Sequence, residues 1–149
     1  MNWMNRLTML AVLVVAAALL TTSGVVLAKT VSCGPPASGP CVGTKRVDGI
    51  QGTIGNDEIS GRGGNDSIIG DYPFGSGVGN DTIRGGGGDD VLYDFNGAGD
   101  IDHIFGGKGN DHIEVEDGDN LDEVDCGPGK DVVYADPGDK VAVNCEKVS

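Results

Sequence analysis

GGGGDDVLY, residues 85–93, is one of five clear copies of a nine-residue pattern in this chain. Each copy is rich in glycine at its start and ends in Asp, any residue, an apolar residue and one further residue. The other four copies are residues 52–60 (GTIGNDEIS), 61–69 (GRGGNDSII), 106–114 (GGKGNDHIE) and 126–134 (CGPGKDVVY). An internal repeat of this kind predicts a fold in which small, equivalent units stack on one another.

Each copy divides into a six-residue turn and a three-residue strand. Glycine at the first, second and fourth positions of the turn permits positive φ and lets backbone carbonyls approach a ligand closely. The Asp at position six supplies a carboxylate oxygen, and Ca²⁺ prefers roughly six to eight oxygen ligands of these two kinds. The turn is therefore predicted to bind calcium, with these glycines of the best copies beside the ion: Gly61, Gly64, Gly85, Gly88, Gly106 and Gly109.

The apolar residue at position eight is expected to point inward while its strand neighbours point outward. The residues at this position are Ile59, Ile68, Ile83, Leu92, Ile104, Ile113, Val124 and Val133. One side chain from each unit would then fill a narrow core. A flexible acidic linker is the competing interpretation of a chain rich in Gly and Asp. The fixed spacing favours an ordered structure with calcium, and the disordered state remains the alternative without it.

The pattern resembles the calcium-binding nonapeptide repeat of RTX, or hemolysin-type, proteins, G-G-x-G-x-D-x-U-x. The resemblance covers residues 43–134. It implies an all-β fold, a parallel β-roll that winds like a right-handed β-helix, with two consecutive units in each coil. It also implies several Ca²⁺ ions, each held between one unit and the next unit on the same face.

Alignment on the Asp gives nine units and a degenerate tenth unit that starts at Ala135. The nine sixth-position residues are Asp48, Asp57, Asp66, Asp81, Asp90, Asp102, Asp111, Asp122 and Asp131. In the tenth unit the alignment places Lys140 at position six. A basic residue opposes cation binding, so residues 135–149 are predicted to form a cap of the kind that terminal repeats require.

The odd and even units differ. The odd units that start at positions 61, 85, 106 and 126 keep the glycine pattern closely, whereas the even units lose it along the chain. Three insertions, residues 70–75, 94–96 and 115–116, each fall immediately before an even unit. Since a β-roll places odd and even units on opposite faces, we expect the best calcium sites on the odd face. They pair Asp66 with Asp90, Asp90 with Asp111, and Asp111 with Asp131, and the face with Asp57 and Asp81 is expected to bind less well.

Residues 1–28 are typical of an export signal, with Arg6 before an apolar stretch and cleavage predicted after Ala28. A retained membrane anchor is the alternative, because the apolar stretch is long enough to span a bilayer. Cleavage would release the chain outside the cell without stable membrane insertion. The predicted regions are then an N-terminal Pro/Gly segment (29–42), the calcium-binding roll (43–134) and the C-terminal cap (135–149).

The net charge is −13 at pH 7, which excludes a charge-driven role in nucleic-acid binding and suits divalent cations. Four cysteines in an exported chain favour two disulfides, for which three connectivities exist. Neighbour pairing, Cys33 with Cys41 and Cys126 with Cys145, is the simplest and would close both ends of the stack. Zinc binding is the rival interpretation, but the spacing has no C-x₂-C knuckle.

No catalytic residue is predicted, because the sequence has neither a G-x-S-x-G elbow nor an H-E-x-x-H helix. His103 and His112 occupy the outward seventh position, and Tyr93 and Tyr134 the ninth. We expect a secreted protein that folds on binding calcium and has a structural or adhesive role toward an unidentified extracellular or cell-surface partner. The alternatives are an enzyme or enzyme inhibitor acting around Tyr72, Pro73 and Phe74, and an extracellular calcium buffer or sensor.

Overall fold

The computed structural model describes residues 28–34, 39–72, 79–95, 99–118 and 121–147. The predicted export signal therefore lies outside the described residues, apart from Ala28, and so do Pro73 and Phe74. The described residues form strands, turns and bends, and they include no helix. Consequently they contain no helix that is long and apolar enough to cross a membrane.

Short strands follow one another along the described chain. In chain order they are β1 (Lys29–Ser32), β2 (Cys41–Val42), β3 (Asp48–Gln51), β4 (Glu58–Ser60), β5 (Ser67–Ile69), β6 (Thr82–Gly87), β7 (Val91–Tyr93), β8 (His103–Lys108), β9 (His112–Glu114), β10 (Glu123–Asp125), β11 (Val132–Tyr134), β12 (Lys140–Val141) and β13 (Glu146–Lys147). Most cover the last three positions of a nonapeptide unit. Turns rich in glycine and Asp separate many of them, because these two residues favour turns and the β-branched residues favour strands.

Successive strands alternate between two sheets. One sheet has seven strands in the order β1-β3-β5-β7-β9-β11-β13, and the other has six in the order β2-β4-β6-β8-β10-β12. All neighbouring strands are parallel. The strands of the odd units lie in the seven-stranded sheet and those of the even units lie in the six-stranded sheet. The predicted β-roll with two units in each coil is confirmed.

The core is a column of position-eight side chains from both sheets. Ile59, Ile68, Ile83 and Ile113 are buried, and the other position-eight residues are at most 2% exposed. The register of the strands stacks each position-eight side chain on that of the neighbouring coil, for example Ile68 on Leu92 and Leu92 on Ile113. The predicted inward residues are therefore confirmed. A core that receives one side chain from each strand is small for so many ordered turns.

The sheets extend beyond residues 43–134 at both ends. Strands β1 and β2 pair with β3 and β4, and β12 and β13 pair with β10 and β11. Disulfides join Cys33 to Cys41 and Cys126 to Cys145, which confirms the neighbour pairing. The first links the end of β1 in one sheet to β2 in the other. Each disulfide therefore closes one end of the stack.

The predicted position of Lys140 was wrong. Lys140 pairs with Glu123, a position-seven residue, and its Nζ lies 2.6 Å from Glu123 Oε1 on the surface. The turn before β12 is one residue shorter than the repeat, so the sixth position belongs to Asp139. The backbone N–H of Asp122 donates to Asp139 Oδ1 at 3.2 Å. The cap thus continues the row of acidic residues and does not place a cation in it.

Candidate calcium ladders

The nine predicted sixth-position aspartates are all buried, with at most 8% of each residue exposed. They form two rows along the two edges of the roll, where the chain passes from one sheet to the other. We call the row from odd units the glycine edge: Asp48, Asp66, Asp90, Asp111 and Asp131. We call the row from even units the insertion edge: Asp57, Asp81, Asp102 and Asp122. The two faces expected from the sequence correspond to these edges.

Along the glycine edge the aspartates connect successive coils. The backbone N–H of each Asp donates to Oδ1 of the Asp one coil further on, at 2.7–2.9 Å. At the C-terminal end the N–H of Asp131 donates to Oε2 of Glu146 at 2.6 Å. One oxygen of each carboxylate therefore sets the distance between neighbouring coils.

The insertion edge has the same backbone pattern. The N–H groups of Asp57, Asp81 and Asp102 donate to Oδ1 of the next Asp in the row at 2.7–3.0 Å. Insertions before the even units therefore leave the hydrogen-bonded row of position-six aspartates intact, and we call each such row a ladder.

The second oxygen of the position-six carboxylates carries the evidence for a bound ligand. On the glycine edge Oδ2 of Asp66, Asp90, Asp111 and Asp131 is buried and has no hydrogen-bond partner within the described ranges of the chain. The same holds for Oδ2 of Asp81 on the insertion edge. A buried polar atom without a partner costs about 1–3 kcal/mol, and more when it is charged. A repeated cost at equivalent positions indicates that these oxygens face a ligand.

The first-position glycines provide the space for such a ligand. A Cβ added at Gly85 would lie 2.6 Å from Asp90 Oδ2 and 2.6 Å from the carbonyl oxygen of Gly106 one coil further on. At Gly106 the same distances are 2.6 Å to Asp111 Oδ2 and 2.6 Å to the carbonyl of Cys126. The region that a Cβ would fill is therefore lined by a carboxylate oxygen and a carbonyl oxygen from adjacent coils. This donor set fits Ca²⁺, which binds oxygen ligands of both kinds.

The fourth-position glycines have a different role. Gly64, Gly88 and Gly109 have φ of 104°, 129° and 133°, a range that favours glycine. A Cβ at Gly88 or Gly109 would collide with backbone of the preceding coil. These glycines permit the close stacking of turns on which the pairing of carboxylates and carbonyls depends.

Burial raises the pKa of the ladder carboxyls. On the glycine edge burial raises the pKa of Asp66 to about 6 and that of Asp90 to about 7. On the insertion edge burial raises the pKa of Asp81 and Asp122 to about 8, and that of Asp102 to about 7. Repulsion from neighbouring carboxylates acts in the same direction. The folded roll therefore holds negative charge at neutral pH only at a cost, which a cation would offset.

A family model described as RTX calcium-binding nonapeptide repeat (four copies) matches residues 42–71, 76–93 and 96–121. The chain belongs to the RTX nonapeptide-repeat family. RTX repeats bind calcium. The parts of this roll that fit the ion are the two rows of buried aspartates and the regions beside first-position glycines such as Gly85 and Gly106, which we call glycine cradles. The two gaps in the match, residues 72–75 and 94–95, fall in the first two insertions. The chain matches no curated protein and no solved structure.

Within the RTX roll, the outward histidines lie where position seven predicts. His103 Nδ1 is 3.4 Å from Glu123 Oε2, and His112 Nε2 is 3.0 Å from Glu114 Oε1. Tyr134 and Tyr93 flank His112, with ring centroids 5.4 and 6.5 Å away. These side chains pack on the outer surface of the sheets, away from the two ladders.

Sequence analysis missed several acidic residues near the RTX ladders. Asp71 and Asp94 lie in the insertions and are only 2% exposed. Glu146 and Asp139 extend the two ladders into the cap. Asp94 could have been found from its place in the repeat, because it directly follows the strand unit 85–93, where a first-position glycine belongs. The backbone confirms this register, since Gly70 N–H donates to Tyr93 carbonyl and Asp94 N–H donates to Glu114 carbonyl.

Proposed function

We propose that this RTX protein is secreted, that its roll folds when it binds calcium, and that it has a structural or adhesive role without catalysis. The observation that carries the proposal is the glycine edge, where one oxygen of each carboxylate is used between coils and the other oxygen of Asp66, Asp90, Asp111 and Asp131 has no partner among the described residues. Each row places acidic side chains of successive coils side by side. At neutral pH a cation along the row would offset the cost of burying these charges.

The energetics favour coupling between calcium and folding. Ordering the turns costs about 1–2 kcal/mol per residue in backbone entropy. The core that opposes this cost receives one side chain from each strand. Repulsion between the carboxylates further destabilises the folded roll. Calcium at roughly 100 times its dissociation constant contributes about 2.7 kcal/mol for each independent site. Several sites together are sufficient to decide whether the roll is folded, so binding and folding become one event.

On the glycine edge we assign the calcium sites to three Asp pairs. They are Asp66 with Asp90, Asp90 with Asp111, and Asp111 with Asp131, each with turn carbonyls. The cradles at Gly85 and Gly106 support the assignment, because a Cβ there would fill the space between carboxylate and carbonyl. On the insertion edge the repeat-encoded sites, which include Asp57 and Asp102, have fewer glycines and should bind calcium less well.

An extracellular location is supported by two features. Both disulfides close the ends of the roll, and disulfides persist in oxidising compartments. Extracellular calcium-binding modules typically have dissociation constants of about 10⁻⁴–10⁻³ M. The chain would stay unfolded where calcium is scarce and fold after export.

The test is a calcium titration of the disulfide-intact chain without residues 1–28, followed by far-UV circular dichroism. We expect a cooperative change from coil to β-structure with calcium and no such change with magnesium, which demands near-octahedral geometry. A chain that is already fully folded in chelator would contradict coupled folding. A hydrolase screen of the calcium-loaded protein tests the enzyme alternative, since turnover that is lost on calcium removal would overturn the non-catalytic role.

A further inference from the structure

Three aspartates meet on the insertion edge, and two of them lie outside the repeat motif. Carboxylate oxygens of Asp71, Asp81 and Asp94 all lie within 4.8 Å of one another. All three residues are buried, with exposures of 2%, 0% and 2%. Only Asp81 occupies a sixth position, whereas Asp71 and Asp94 come from the first two insertions. The cluster is therefore a feature of this chain and not of the RTX consensus.

The carboxylates of the cluster lack partners. Both oxygens of Asp71, both oxygens of Asp94 and Oδ2 of Asp81 are buried and accept no hydrogen bond from the described part of the chain. The other oxygen of Asp81 accepts the N–H of Asp57, as the ladder requires. Burying five carboxylate oxygens together without hydrogen-bond donors costs too much free energy for a cluster that binds nothing. This observation is independent of the clustering itself and indicates a bound cation.

Gly70 allows these carboxylates to approach the turn closely, because it has no Cβ. A Cβ added at Gly70 would lie 2.5 Å from Asp94 Oδ2 and 2.9 Å from Asp81 Oδ2. Gly70 stands at the first position of its turn, where the glycines of the other edge form their cradles. One coil further on, that position is taken by Asp94, whose carboxylate reaches back toward Gly70. On the glycine edge a carbonyl oxygen of the next coil lies beside the first-position glycine. At Gly70 on the insertion edge the carboxylate of Asp94 lies there instead.

We propose that Asp71, Asp81 and Asp94 form a calcium site that the nonapeptide motif does not encode, joining two successive turns of the insertion edge. Oxygens on opposite sides of an ion bound at about 2.4 Å are about 4.8 Å apart, so the three carboxylates can share one Ca²⁺. Asp71 and Asp81 belong to one turn, and Asp94 belongs to the next. The site holds together the part of the roll where the longest insertion interrupts the repeat. This inference rests on the proposed calcium-dependent folding, but the additional site can be disproved while that folding still holds.

Replacement of Asp71 or Asp94 by Asn tests the site, because Asn keeps the shape and removes the charge. Calcium bound per chain is counted by equilibrium dialysis, and thermal unfolding is recorded in saturating calcium. We expect D71N and D94N each to lose one bound ion relative to wild type and to lower the melting temperature. A cluster that holds no ion would give the opposite shift, because Asn would then remove a buried charge without a counter-ion.

The sign of the change in melting temperature therefore separates a calcium site from an empty cluster. If D71N and D94N bound as many ions as wild type and melted at a higher temperature in calcium, the inference would be overturned. Glu116 is exposed, and E116Q is the matched control that removes one carboxylate without an expected change in ion count. A wild-type chain that bound no calcium would contradict the proposed function as well. Loss of ions in D111N but not in D94N would overturn the new site alone.

Discussion

The two edges of the roll carry the same backbone ladder but surround it differently. On the glycine edge, first-position Gly61, Gly85 and Gly106 leave a space between the Asp of one coil and a carbonyl of the next. On the insertion edge Gly70 is followed one coil later by Asp94 and then by Val115 at the equivalent position. The comparison shows that position six maintains the stacking, whereas position one differs between the edges and changes which oxygens lie beside the position-six carboxylates.

The largest effect is expected from pH in the absence of calcium, because several carboxylates respond together. Burial raises the pKa of Asp81 and Asp122 in the folded roll to about 8, from an ordinary value of 3.8. The folded state therefore binds more protons than the unfolded state between these values, and its free energy of unfolding falls as pH rises. Circular dichroism of the metal-free chain should show most β-structure below about pH 5, with loss through pH 7–8.

Calcium should reverse this dependence, since protons compete with the ion for the carboxylates. The edges can be compared with D81N and D66N, because burial raises the pKa of Asp66 only to about 6. D81N should extend the folded range of the metal-free chain to higher pH more than D66N does. A metal-free chain that gained β-structure between pH 5 and pH 9 would contradict the burial of charged ladders.

The next largest effect is expected from D111N. Asp111 borders two of the proposed sites on the glycine edge, so its loss should remove two ions. At calcium concentrations of roughly 100 times the dissociation constant this amounts to about 5 kcal/mol of stability. Urea unfolding in calcium and equilibrium dialysis measure both quantities. D102N is the matched change on the insertion edge, because Asp102 also lies between two aspartates of its row. It should lose less calcium than D111N, and a greater loss would contradict the expected difference between the edges.

A smaller effect is expected from filling one glycine cradle. The Cβ of G85A would lie 2.6 Å from Asp90 Oδ2 and from Gly106 carbonyl, so the variant should lose one site. The expected loss is about 2.7 kcal/mol in calcium, with a matching decrease of one bound ion. G87A is the control in the same turn, because its Cβ would have no atom within 4 Å. Equal behaviour of the two variants would show that the cradle does not face an ion.

The smallest effect concerns Arg62, which has a φ of 77° at the second position of its turn. This backbone conformation costs a residue other than glycine about 1–2 kcal/mol. R62G should stabilise the roll by about 0.5–1 kcal/mol after the greater entropy of glycine in the unfolded chain is deducted. R62A separates the backbone effect from loss of the side chain, because alanine keeps the strain. Chemical denaturation in calcium should rank R62G above wild type, and an equal gain in R62A would exclude backbone strain as the cause.

Much of the fold could be predicted from sequence because one nine-residue rule determines strand, turn and core at once. The position of Ile68 in the core, the burial of Asp90 and the alternation of units between two sheets all follow from that rule. The prediction for Lys140 was wrong because the last turn is one residue shorter, which alignment on a fixed period could not detect. Asp71 was missed because it lies in an insertion that has no register of its own. Asp94 could have been placed at position one of its turn, but only the fold brings both carboxylates to Asp81.

We expect calcium on both edges of the roll, held by different sets of ligands. A crystal structure of the calcium-loaded chain, with anomalous difference density recorded at long wavelength, distinguishes the two sets of sites. Ions are expected beside the Asp66–Asp90, Asp90–Asp111 and Asp111–Asp131 pairs, and one further ion is expected among Asp71, Asp81 and Asp94. Density restricted to the insertion edge would contradict the assignment of the glycine cradles. An aspartate cluster without density in crystals whose glycine edge is occupied would contradict the additional site.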